Sequence, residues 1–105
     1  MAPEMSDDLE ENALAAAEFL KALAHEGRLA ILCHLLSGEK SVSELQKVLS
    51  IRQSAASQQL ARLRLEGLIA ARREGKSIYY KIDDEKVTAV IGVLHQLFCS
   101  GEDRP

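Results

Sequence analysis

Tryptophan is absent, and the aromatics are limited to Phe19, Phe98, Tyr79 and Tyr80, so any core must be built from Leu, Ile, Val and Ala. No apolar run approaches the ~20 residues that a membrane helix needs. The first 18 residues contain no Lys or Arg and no hydrophobic segment of signal-peptide type, which predicts a cytoplasmic protein with no membrane partner. Repeats, low-complexity tracts and linkers are missing. The 105 residues suffice for one domain and fall short of two, so residues 1–105 read as one unit, with 1–7 and 101–105 as disordered tails. A domain this small buries a modest share of its surface, and a second copy would stabilise it. No Gly-rich cradle, acidic pair or oxyanion-type turn accompanies the Cys and His residues, which argues against an enzyme and leaves no catalytic residues and no cofactor to assign.

Charge is present but unevenly placed. The net charge is −3, yet residues 1–18 hold six acids and no base, while residues 52–81 hold seven bases and two acids. A basic middle between acidic ends fits a local phosphate-binding surface, although charge alone fits a solvated face equally well.

The apolar periodicity predicts five helices. The first starts near Asp7 or Asp8 and carries the stripe Leu9, Ala13, Ala16, Leu20 and Leu23. His25 reads as a residue that helps to end it. A second helix carries Leu29, Leu32, Cys33 and Leu36 and ends near Ser37-Gly38. Ser41-Val42-Ser43-Glu44 is a capping box that opens a third, and Ser50-Ile51-Arg52-Gln53 is a second possible box opening a fourth. Ala56, Leu60, Leu63 and Leu65 are its expected inner positions, and Gly67 its stop. A two-stranded antiparallel hairpin follows, Leu68–Arg72 and Ser77–Ile82, with Glu74-Gly75 as the turn. Asp83 and Asp84 can cap a last helix with the apolar set Val87, Val90, Ile91, Leu94, Leu97 and Phe98.

Two short helices, a tight turn and a basic hairpin make a winged helix-turn-helix, mainly α with a β-hairpin wing. The fourth helix begins with small and amide-bearing residues suited to a major groove. Gln53 and Gln58 can pair with adenine, Ser54 and Ser57 can reach phosphates, and the helix N-terminus favours anions. Arg52, Arg72, Arg73, Lys76 and Tyr79 complete the candidate DNA-binding set. The Ser/Gln helix or the basic hairpin alone could be ordinary solvated surface; their order is the more specific signal.

Ala22 to Leu32, Ser54 to Leu63 with Glu66-Gly67-Leu68-Ile69, and Arg72 to Lys76 with Tyr79-Tyr80 resemble the ArsR/SmtB family of bacterial repressors over residues 12–99. The resemblance implies a homodimer built on the terminal helices, bound to a palindromic double-stranded operator with half-sites ~34–36 Å apart. The arsenic-type Cys-x-Cys is absent from Glu44 to Val48. The zinc-type set of the last helix is incomplete: Asp83 and His95 lie near matching positions, but Glu85 and Phe98 stand where ligands are expected, so no metal site is assigned.

The pair Cys33 and Cys99 resembles instead the SqrR/BigR-like, sulfide-responsive subgroup. That resemblance implies redox sensing by these two thiols, with reactive sulfur species (persulfides, polysulfides) as inducer and DNA released on bridging. A thiolate that attacks sulfane sulfur gives a persulfide, which the second thiol resolves. A plain disulfide needs Cα atoms within roughly 4.4–6.8 Å, whereas inserted sulfur spans more. Singly, each cysteine also fits a packing role, and a Cys2His2 zinc site with His34 and His95 is a further alternative. So is a winged-helix module that binds a protein partner.

Overall fold

A computed structural model describes residues 8–49 and 53–99, and the side chains of 10–49 and 55–99. Both expected tails, Arg52 and the Ser50–Gln53 box lie wholly or partly outside the described residues. The order is α1 (Asp8–Leu23), α2 (Glu26–Leu35), β1 (Lys40–Ser41), α3 (Val42–Leu49), α4 (Gln53–Leu65), β2 (Ile69–Glu74), β3 (Ser77–Ile82) and α5 (Glu85–Phe98). Among the described residues no helix is long and apolar enough to cross a membrane.

Local chemistry explains most boundaries. Ser41 and Glu44 form the reciprocal capping box: Glu44 N donates to Ser41 Oγ at 3.2 Å, and Ser41 N to Glu44 Oε1 at 2.8 Å. His25 does more than end α1. It is the N-cap of α2, its Nδ1 accepting from Gly27 N at 3.0 Å and Arg28 N at 3.4 Å. Asp84 caps α5 by accepting from Lys86 N at 2.7 Å. Gly67, at φ +81°, closes α4: Leu68 N reaches back to Leu63 O and Gly67 N to Arg64 O, each at 2.9 Å. These are the paired bonds of a Schellman stop.

The sheet has three antiparallel strands in the order β1-β3-β2, one more than the expected hairpin. Lys40 pairs with Tyr80 and Ser41 with Tyr79. Two residues are too few to show alternation in a sequence. The wing strand β2 runs on to Glu74, which pairs with Ser77, so the connecting loop is Gly75-Lys76, not Glu74-Gly75. Gly75 takes φ +65°, as a tight hairpin loop requires.

Ile31, Leu32, Leu35, Leu45, Leu60, Leu63, Val87 and Ile91 form the centre of the core, joined by Leu23, Leu68 and Ile69. One expected inner position lies outside it: Leu65 is 83% exposed. On the apolar arc of α5, Leu97 is 70% and Phe98 78% exposed. On α1, Ala13, Ala16 and Leu20 are exposed and Leu23 is buried. The apolar stripes of the two terminal helices therefore extend well past what one copy of the chain covers.

Candidate functional site

The fourth helix is held by one face. Ala56, Leu60 and Leu63 are fully buried, three and four residues apart, and turn the opposite face outward. Ser57 and Gln58 are exposed on that face. Gln53 and Ser54 lie in the first turn of α4, with side chains outside the described set. The structure thus presents Ser57 and Gln58 as available to a partner.

The wing cations differ from one another. Arg73 and Lys76 are exposed beside the loop. Arg72 is tied down instead. Its Nε donates to both carboxylate oxygens of Glu39, at 3.0 and 2.9 Å, and its Nη1 donates to Glu74 at 2.7 Å. The guanidinium lies 5.0 Å from the ring centroid of Tyr79, a cation–π contact that also engages that tyrosine. The hydrogen bonds from Arg72 hold the Glu39 carboxyl below the usual carboxylate range, and the two acids raise the arginine further. Arg72, with Tyr79 against it, anchors the wing to the segment leaving α2. Sequence reasoning missed Glu39, because nothing in its neighbours marks a partner 33 residues on.

The cysteines come together. An apolar cleft of about 420 Å³ opens between α2 and α5, lined by Leu29, Ala30, Cys33, Ile91, Leu94, Phe98 and Cys99. Leu29 and Cys33 sit one turn apart on α2, and Cys99 caps the end of α5. Both thiols are free, Cys33 half-buried and Cys99 exposed. Burial raises the pKa of Cys33 first, and the neighbouring Cys99 raises it second. Among the described residues no group of three or more His, Cys, Asp or Glu gathers as a metal site, so Cys33, Cys99, His34 and His95 do not converge.

A second polar arrangement escaped the sequence reading. Arg28, Gln59 and Glu66 meet beside α4. No local pattern marks Arg28, since its partners Gln59 and Glu66 lie 31 and 38 positions on.

Residues 25–71 match the family model described as "Bacterial regulatory protein, arsR family". The transcriptional activator HlyU of Vibrio cholerae is 45% identical over 93% of this chain and 91% of its own length. The chain belongs to the arsR family of bacterial regulatory proteins. The biofilm growth-associated repressor of Agrobacterium fabrum is 43% identical over 90% of this chain and 81% of its own. Among solved structures, reduced HlyU from Vibrio cholerae superposes with a TM-score of 0.85 at 44% identity, covering 90% of this chain and all of that one. The repressor BigR from Xylella fastidiosa gives 0.85 at 37%, over 94% and 98%. Membership of the arsR family makes this chain a winged-helix, DNA-binding regulator of transcription with BigR-like relatives.

Proposed function

We propose that the chain is a homodimeric repressor that binds a palindromic operator while Cys33 and Cys99 are reduced and releases it when reactive sulfur species bridge them. The observation that carries this reading is the meeting of two sulfurs, 66 positions apart in sequence, in one apolar cleft. A cleft with almost no polar lining suits sulfane sulfur better than a hydrated oxidant. It also lies between the helix that leads toward the DNA-reading pair and the last helix.

The chemistry balances with an organic polysulfane as oxidant. One protein thiolate attacks an inner sulfur and displaces one terminal thiolate. The other protein thiolate attacks a remaining inner sulfur and displaces the second terminal thiolate. The two cysteines lose two electrons, the polysulfane leaves as two thiolates, and the retained sulfurs stay in the bridge. Cys99, exposed, is the thiol that reagents reach first.

Dimerisation is supported by the outward apolar residues of the terminal helices. Leu14 and Leu20 on α1 and Val93, Leu97 and Phe98 on α5 are each more than half exposed. A patch of this kind marks an interaction surface. On DNA, α4 enters the major groove with Ser57 and Gln58, alongside Gln53 and Ser54, while Arg73 and Lys76 hold the flanking backbone.

The test combines intact mass with a gel shift. Treatment of the reduced dimer with glutathione polysulfane should add whole sulfur atoms, remove two hydrogens and abolish the shift. Cys33→Ser and Cys99→Ser should each keep the DNA bound after treatment. Release by either variant as readily as by the wild type overturns the sensing reading.

A further inference from the structure

Arg28 is the one buried charged residue among the described side chains. Its position is electrostatically awkward, since the first turn of a helix carries the positive end of the dipole. A buried cation must be paired to persist. Its Nη1 donates to the carbonyl of Ala22 at 2.6 Å, in the last turn of α1, where carbonyls lack helical partners. Its Nε donates to Gln59 Oε1 at 3.3 Å, on α4. Nη1 also lies 3.4 Å from Glu66 Oε1, just past the end of α4, and Glu66 is paired with Arg62 at 3.7 Å. One planar group thus ties α1, α2 and α4 together.

The apolar face of α4 cannot supply the same restraint. Burial of Ala56, Leu60 and Leu63 fixes which side of the helix faces inward, but it is non-directional. Small rolls about the helix axis leave it nearly unchanged. Hydrogen bonds weaken steeply once bent, so the contacts to Gln59 and Glu66 set the roll. Gln58, exposed, is the immediate neighbour of half-buried Gln59.

We propose that Arg28 is a positioning residue for operator reading: through Gln59 and Glu66 its guanidinium fixes the roll of α4 and so aims Ser57 and Gln58. The inference rests on α4 being the DNA-reading helix. Phosphate contacts tolerate a small roll, whereas paired bonds to a base edge do not. Loss of the anchor therefore costs discrimination before it costs affinity for DNA in general.

The experiment uses the full reduced chain. One duplex is the sequence that the wild type enriches from a randomised pool; the other is a scrambled duplex of equal composition. Arg28→Lys and Gln59→Ala should each cut the ratio of the two affinities roughly tenfold, with the scrambled-duplex affinity and its salt slope unchanged. The double variant should lose no more than the worse single variant, because the two residues act as one unit. Arg28 is almost buried and its guanidinium is held by Ala22, Gln59 and Glu66, so this non-additivity separates aiming from direct contact by Gln59. Should Arg28→Lys not fold, Glu66→Gln takes its place in the cycle, with the same expected loss. Unchanged discrimination, equal loss on both duplexes, or losses that multiply in the double variant would each overturn the proposal. A wild type that enriches no sequence removes the reading of α4 and this inference with it.

Discussion

Glu39 holds Arg72 by both carboxylate oxygens, 3.0 and 2.9 Å from Nε, and so fastens the wing to the residues that leave α2. Arg72 is half exposed, so the tie adds little to stability. Its consequence is where the positive charge can go. While Glu39 and Glu74 occupy the guanidinium, the DNA contact proposed for the wing rests on Arg73 and Lys76.

Glu39→Gln should release charge toward DNA. Binding to a scrambled duplex should tighten, and the plot of log affinity against log salt should steepen by about one phosphate contact. An unchanged slope would show that Arg72 reaches phosphate despite its acids. The tie also has a pH signature. A carboxyl with a lowered pKa gives stabilisation that is complete above the ordinary carboxylate range and lost only as pH falls through the depressed value. A carbon-detected NMR titration should find Glu39 still ionised where ordinary glutamates protonate.

Cys33 should react like a reluctant thiol. Burial and Cys99 both raise its pKa, so its alkylation by iodoacetamide should rise with pH later than that of a free thiol. Cys99→Ser should move the midpoint part of the way down, because burial, the larger cause, remains. The sign for folding follows. The folded thiol keeps its proton more tightly, so this contribution to stability is whole below the ordinary thiol pKa and lost as pH climbs through the raised one. Peptide-resolved mass spectrometry gives the profile, and a midpoint at the free-thiol value would contradict the buried placement.

Gly67→Ala isolates a backbone cost. A Cβ there would meet nothing within 4 Å, but φ is +81°. The expected loss is about 1–2 kcal/mol from the left-handed conformation alone. Thermal unfolding followed by far-UV circular dichroism should show a fall of several degrees. An unchanged midpoint would mean that α4 ends in another geometry.

The periodic and capped parts of the fold were legible in the sequence. Ser41 with Glu44, Asp84 and Gly67 each announce a helix end through local chemistry, and the structure uses each of them. The spacing of Ala56, Leu60 and Leu63 gives the inward face of α4. Leu65 breaks the reading because, two residues after buried Leu63, it falls on the opposite face of the helix. Leu97 and Phe98 belong to the wide apolar arc that the sequence marks on the last helix, and both stand largely exposed. Arg28, Glu39 and β1 were illegible, since each depends on a partner more than thirty positions away, and no local pattern encodes such a pairing. The cysteine pair was visible through family resemblance. Their shared cleft follows from the packing of α2 on α5.

Ser41 belongs to two structures at once. It is the register partner of Tyr79 in β3, and its hydroxyl caps α3. The base of the wing and the entry into the helix-turn-helix therefore share a single hinge pin. Loss of the Ser41 hydroxyl would be felt at α3 while the backbone pairing to the wing stays in place.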